Sequence, residues 1–353
     1  MKYYLKVLTL AIVFSFGWGL WWGFYNLEKK NPKYKKGPEI RVLSMKGFFT
    51  QDFLKEIETK YKINFVLTEK DSDADLLREA LSENKNYDLI QIRSFITKSF
   101  LLDSVFKPLD ADRIEGQSIS IDFKNMGFDP SDKYFVPITW GINGFLVRDD
   151  KKLIKESLEE LTSNQAQFSV LPSFVELLHL LTKIRPVVKN WLETGQTEEL
   201  SKDLKQLKTK IAKFSPDPRA ELLEKKLDLA QISNGQAAAF IKQNPQFRFV
   251  LAKEGSTLWI NLLGVSQGVK NEQRTYDVIN LLLRDEVNKK LILSNEQATT
   301  LNSLNDVDIP PLLKANYIRQ VPLSRVDLFV NGEGIEPLWI QAVKKEWSDV
   351  MFK

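Results

Sequence analysis

The chain predicts an α/β fold in which a largely parallel sheet is covered by helices, and three observations carry that prediction. Apolar runs of strand length alternate with helical patterns between Glu39 and Ile92, and a βαβαβ succession of this kind pairs its strands in parallel when helices cross over the sheet. Thr50 and Ser72 each stand where helical periodicity begins, so their hydroxyls can cap a first turn. A chain of 353 residues, 43% hydrophobic and 27% charged, has the composition of a globular protein with room for two ordinary domains.

The elements follow in order. Residues 7–25, "VLTLAIVFSFGWGLWWGFY", carry no charge and are about as long as a bilayer is thick. Trp18, Trp21, Trp22 and Tyr25 crowd the far end, as an interfacial aromatic belt does. Residues 1–27 read as an uncleaved signal anchor, with a cleaved signal peptide as the alternative. Five lysines follow this run against two before it, so the positive-inside rule taken alone would leave the body in the cytoplasm. Residues 28–37 are a Lys-rich linker. "EIRVLS" (39–44) is a strand, 50–61 a helix with Phe53, Leu54, Ile57 and Tyr61 on one face, and "INFVLTE" (63–69) a strand. Ser72 and Asp75 suit a capping box for a helix carrying Leu76, Leu77, Ala80 and Leu81. "YDLIQI" (87–92) is a strand followed by a helix, and "YFVPITWGINGFLVRDD" (134–150) is extended. Residues 197–214 place Leu200, Leu204, Leu207, Ile211 and Phe214 on one face of an expected surface helix. Strands return at 227–233, 247–255 and 259–266; helices follow at about 271–294 and at 334–347.

Composition excludes several functions. The chain has no cysteine, hence no disulfide, thiolate metal site or cysteine nucleophile, and its single histidine, His179, stands on an apolar helix face and reads as structural. No Walker, Rossmann or G-x-S-x-G motif occurs, and neither a metal, a cofactor nor a catalytic residue is expected. The net charge is +4, but residues 1–36 hold seven lysines and one acid, leaving 43 bases against 45 acids in the body. That near-neutral body offers no electrostatic case for nucleic acid.

The order and spacing of several stretches resemble bacterial extracellular solute-binding proteins, in particular the spermidine/putrescine-binding type that serves ABC importers. They are "YDLIQIRSF", "YFVPITWGINGFLVRDD", "LDLAQISNGQAAAF" and "LAKEGSTLWINLLGVSQGVKNEQRTYDVINLLLRDEV". The resemblance implies a type II periplasmic-binding-protein fold of two α/β lobes behind the membrane-spanning helix. Lobe one would be 38–142 plus 264–305, and lobe two 143–263 plus 306–353. It further implies a monomer outside the cytoplasmic membrane, a small-molecule solute held by hinge closure, and a membrane permease as partner.

Carried over residue by residue, the family's ligand positions fall on Met45, Lys46, Gly47 and Phe48 in the first loop, then on Arg93 and Phe95. In the second lobe they fall on Ser173, Glu176, Ser233, Trp259 and Asn261, with Gln297 and, more loosely, Phe329 later. Of four carboxylate positions only Glu176 keeps its acid; Gly47, Ser173 and Asn261 replace the others, and Lys46 and Arg93 stand where cationic ligand would lie. Like charges repel an ammonium chain. The sequence therefore predicts an anionic or zwitterionic solute, with a solute-free partner-binding or sensory module as the alternative. Lys46, Arg93, Phe48, Phe95 and Trp259 can equally be solvated loop cations and core aromatics.

Overall fold

A computed structural model describes residues 37–82, 86–99, 102–115, 118–149, 157–158, 166–194, 196–320 and 326–328. The expected anchor, the helix at 334–347 and Phe329 lie outside these residues. Among the described residues no helix is long and apolar enough to cross a membrane.

The βαβαβ opening forms as its local signals require. β1 (Glu39–Met45) runs parallel to β2 (Asn64–Lys70) on one side and β3 (Leu89–Arg93) on the other. Helix α1 (Gln51–Tyr61) is capped by Thr50, which accepts from the Phe53 N–H, and it buries Phe53, Leu54 and Ile57. Helix α2 (Asp73–Ala80) is capped in the same way by Ser72. Where a full helix is expected after β3, the chain makes a 3₁₀ segment (Ser94–Ser99) and a single turn, α3 (Leu102–Val105).

Two long strands organise the molecule. β4 (Val136–Arg148) pairs antiparallel with β9 (Ser256–Val265) through Ile142, then with β7 (Leu229–Ser233) from Asn143 onward. The sheet order is β2-β1-β3-β9-β4-β7-β5-β6, with β5 at Phe168–Val170 and β6 at Lys213–Phe214. β8 (Phe247–Val250) and β10 (Ala298–Thr299) pair with opposite halves of β4, and β11 (Val326–Leu328) pairs with β9.

Packing divides at the same place. One core joins Val42 and Leu43 to Ile57, Trp140, Ile260, Ile279 and Leu291; others lie on the two faces of the second half, around Phe168 and Leu177 and around Ile232 and Phe240. Period-two alternation serves both faces, since Phe145 and Val147 enter one core and Leu146 the other. Residues 306–320 bury Ile309, Leu313, Ala315 and Ile318 in the first core, although the sequence resemblance groups them with the second lobe. The chain reaches them directly from β10, which is hydrogen-bonded to the first half of β4.

The expected helix over 197–214 ends earlier. Helix α6 (Thr197–Lys208) buries Leu200, Leu204 and Leu207, after which the chain turns and Lys213–Phe214 pairs parallel with β5. Ile211 and Phe214 still reach the same core, but from a loop and an edge strand. Their spacing continues the helical period without the helix. The expected helix over 271–294 is two: α9 (Glu272–Leu283) and α10 (Asp285–Ser294), broken at Arg284, whose ψ of 136° is extended. The remaining helices are α4 (Phe174–Ile184), α5 (Val187–Thr194), α7 (Arg219–Leu223) and α8 (Asn234–Gln243).

Candidate functional site

The long strands turn one shared face toward the place where the two packed bodies meet. Side chains alternate along a strand, so Thr139, Gly141 and Asn143 of β4 lie with Thr257, Trp259 and Asn261 of β9. The register pairs Thr139 with Asn261 and Gly141 with Trp259, and Arg93 of β3 falls opposite Asn261 from the other side. Trp259 is half-buried with its indole laid across Gly141: a Cβ there would stand 2.3 Å from ring atom Cζ2. Only glycine leaves room for the ring in that position.

Asn261 is the node of a buried amide network. Its Nδ2 donates to Thr139 Oγ1 at 2.9 Å and Gln297 Oε1 at 2.7 Å, and its Oδ1 accepts from Gln91 Nε2 at 3.0 Å. Thr139 Oγ1 also donates to Gln297 Oε1 at 2.5 Å, and Gln91 Oε1 accepts from the Met45 N–H at 3.0 Å. At 2% exposure, Asn261 spends its hydrogen-bonding capacity inside the protein. The network joins β1, β3, β4, β9 and the turn at Gln297. Thr139 and Gln91 carry no motif of their own, and strand pairing alone brings them to Asn261.

Glu176 occupies a second network. Ser173 caps α4 by accepting from the Glu176 N–H at 3.4 Å. The Glu176 carboxylate accepts from Thr257 Oγ1 at 2.8 and 3.0 Å and from Gln231 Nε2 at 2.9 Å, and Asn143 Nδ2 in turn donates to Thr257. Burial pushes the Glu176 pKa up, against the hydrogen bonds from Thr257, Asn143 and Gln231 and the charge of Arg93. The retained acid is thus an interior group tying α4 to the long strands. Behind it a small cavity, lined in part by Asn143, Gln231, His179 and Ser256, has room for about one water. His179 is buried in the helix, the structural placement its sequence setting suggests.

The two cations each meet an acid. Arg93 donates to Asp73 through Nε at 3.0 Å and also through Nη2, and its guanidinium stands 4.7 Å above the half-buried Phe95 ring. Nη1 has no hydrogen-bond partner among the described residues. Lys46 is 69% exposed and pairs with Asp71 at 2.8 Å; that hydrogen bond and charge hold its pKa above the usual lysine value. The Gly47 N–H donates to Glu69 at 2.9 Å. Sequence reading missed these three acids. The signal was present in "EKDSDAD": β1 and β2 are parallel with Met45 beside Lys70, so the loops leaving both strands lie side by side.

The other expected site residues are placed as follows. Phe48 is in the core, 4% exposed, edge-on to Phe49 with ring centroids 4.7 Å apart. Ser233 caps α8 in a capping box with Gln236. The structure therefore gathers Met45, Arg93, Phe95, Glu176, Trp259, Asn261 and Gln297 around the crossing strands. It leaves Lys46 on the rim, Phe48 beneath, and Ser173 and Ser233 at two helix N-termini.

No family model matches the chain. The spermidine/putrescine-binding periplasmic protein of Escherichia coli K12 is 25% identical over 211 residues, covering 58% of this chain and 61% of that protein. The putrescine/agmatine-binding protein of Pseudomonas aeruginosa is 25% identical over 274 residues, covering 70% of this chain and 74% of its own length. The chain thus spans about three-fifths of the length of the first curated relatives it matches. Among solved structures, the spermidine/putrescine ABC transporter substrate-binding protein of Streptococcus pneumoniae superposes with a TM-score of 0.69 at 17% identity, covering 89% of this chain and 98% of its own. The curated relatives include spermidine/putrescine-binding periplasmic proteins of Escherichia coli and Haemophilus influenzae. The α/β periplasmic-binding-protein fold implied by the resemblance is the fold observed.

Proposed function

We propose that the chain is the extracytoplasmic substrate-binding component of an ABC-type importer, anchored by its N-terminal segment and acting as a monomer with a membrane permease. Its two lobes, dividing near Ile142 on β4 and within β9, close by hinge bending over a small anionic or zwitterionic solute. The observation that carries this reading is the shared face of β4 and β9. A half-buried indole lies there on a glycine floor, and the Arg93 fork that grips Asp73 through Nε and Nη2 has no partner at Nη1 among the described residues. An aromatic plate and a partly satisfied guanidinium suit the apolar body and the carboxylate or phosphate of a small solute. The capped N-termini of α4 and α8, at Ser173 and Ser233, add partial positive charge at the ends of β5 and β7.

A polyamine fits poorly. Its ammonium groups need several accessible carboxylates; Asn261 offers an amide locked by hydrogen bonds to Gln91, Thr139 and Gln297, and Glu176 is buried behind Thr257 and Gln231. Titration calorimetry of the purified chain against spermidine, putrescine, amino acids and inorganic phosphate tests the reading. Micromolar spermidine binding would sink it.

One observation favours a second reading, a membrane-tethered module that binds a partner in place of a solute. Lys46 and Arg93 already hold Asp71 and Asp73. A thermal-shift screen that stays silent across anions, zwitterions and polyamines is the outcome this reading expects.

A further inference from the structure

Away from the long strands, the two packed bodies also touch where α7 and α8 face the turn after α10. Asp217 Oδ1 accepts from Arg219 Nε at 2.7 Å and Asp217 Oδ2 accepts from Arg219 Nη2 at 2.7 Å. The remaining nitrogen, Nη1, donates to Glu296 Oε1 at 2.7 Å. Leu222, one turn along α7, is buried in the Ile232 core, whereas Ile292 and Ala298 on either side of Glu296 are buried in the first core. The ion pair therefore crosses from one body to the other.

The backbone beside it is equally close. A Cβ on Gly235 would lie 1.7 Å from the Glu296 carbonyl oxygen, so this helix start reaches the turn only because it is glycine. Next to it, fully buried Asn234 accepts from the Ile142 N–H at 3.0 Å and donates to the Leu312 carbonyl at 2.8 Å. Glu296 itself holds φ at 51°, a left-handed conformation unfavourable for a residue with a Cβ. The next residue is Gln297, whose Oε1 accepts from Thr139 and Asn261 on the crossing-strand face.

We propose that Arg219 is a positioning residue of the cleft: oriented by Asp217, it clamps the Glu296–Gln297 turn and so sets both the angle between the two bodies and the seat of Gln297. This deepens the solute-binding reading and rests on it for the meaning of the face, but its test needs no solute. A partly exposed pair adds little to stability, with Arg219 and Glu296 side chains 27% and 30% exposed. Its effect belongs to geometry. Asp217 holds the guanidinium in advance, so little side-chain freedom is lost when Glu296 is engaged.

The chain has no cysteine, so Lys55→Cys on α1 and Lys202→Cys on α6, both exposed, give a doubly spin-labelled full-length protein without further changes. Pulsed dipolar spectroscopy then reads the distance between the bodies. The expected result is one narrow distribution in the labelled parent, and a broadened or two-population distribution in both Arg219→Gln and Glu296→Ala. The double variant should be no broader than either single, since both remove one contact. Arg219→Lys, which keeps the charge, should fall between. Should Arg219→Gln fail to fold, Glu296→Ala removes the contact from the other end and leaves the Asp217–Arg219 pair intact. Unchanged distributions in the variants, even with a lowered melting temperature, would overturn the proposal and leave the solute-binding reading untouched; so would broadening in Arg219→Gln alone.

Discussion

Replacing Gly141 by alanine tests whether the β4 floor holds Trp259 in place. The new Cβ would stand 2.3, 2.7 and 2.8 Å from three indole atoms, where ordinary carbon contacts are about 3.5–4.0 Å. The ring must retreat by roughly 1 Å or more. Trp259 is half-buried and can tilt into the cleft, so the cost belongs in the lower part of the overpacking range, about 1–2 kcal/mol. Alanine recovers about 0.4–1 kcal/mol by restricting the unfolded chain, leaving a net loss near 1 kcal/mol. In a Trp259→Ala background the clash is absent, and Gly141→Ala should become neutral or mildly stabilising. Urea denaturation of the four proteins of this cycle measures the coupling, expected at about 1–2 kcal/mol. An equal loss in both backgrounds would refute the reasoning, because the penalty would then come from the strand and not the indole.

Other perturbations separate interior groups from rim groups. Asn261→Ala strands Gln91 Nε2 and removes a donor from Gln297, so urea denaturation should show a loss of about 2–3 kcal/mol; a loss below about 0.5 kcal/mol would mean water replaces the amide. Burial raises the Glu176 pKa above its ordinary 4.5, so between that value and the folded one the native state keeps a proton that the unfolded chain has released. Stability from this group is complete below 4.5 and is lost as pH rises through the folded value. Glu176→Gln should abolish that decline in urea midpoints measured across pH, and an identical pH slope in both proteins would count against the assignment. Lys46→Ala removes only an exposed pair with Asp71, and calorimetric melting should show no resolvable change.

Local signals were the legible part of this fold. Thr50 and Ser72 cap the helices they precede because a hydroxyl three residues from an amide needs nothing distant. β4 was legible only as an extended stretch, since its side chains are buried on both faces and give no polar alternation. The helix extended to Phe214 failed where an edge strand on β5 repeated the spacing of a helix, and apolar period alone does not distinguish them. In the site, Trp259, Asn261 and Gln297 do converge, but their partners do not announce themselves. Asp71 and Asp73 reach Lys46 and Arg93 only through the parallel register of β1 and β2. Glu176 looked like a cleft acid until Thr257 and Gln231, from strands far along the chain, closed over it. Arg219 and Glu296 lie 77 residues apart, and nothing local links them.

Solute class is the central claim, and titration calorimetry of the purified chain reaches it most directly. Spermidine, putrescine, an amino acid panel and inorganic phosphate would be run against the parent and Arg93→Gln. The account predicts saturable heat with an anionic or zwitterionic solute, weakened at least about tenfold by Arg93→Gln, as loss of a charge-assisted hydrogen bond implies, and none with spermidine. Micromolar spermidine binding that survives in Arg93→Gln would contradict it.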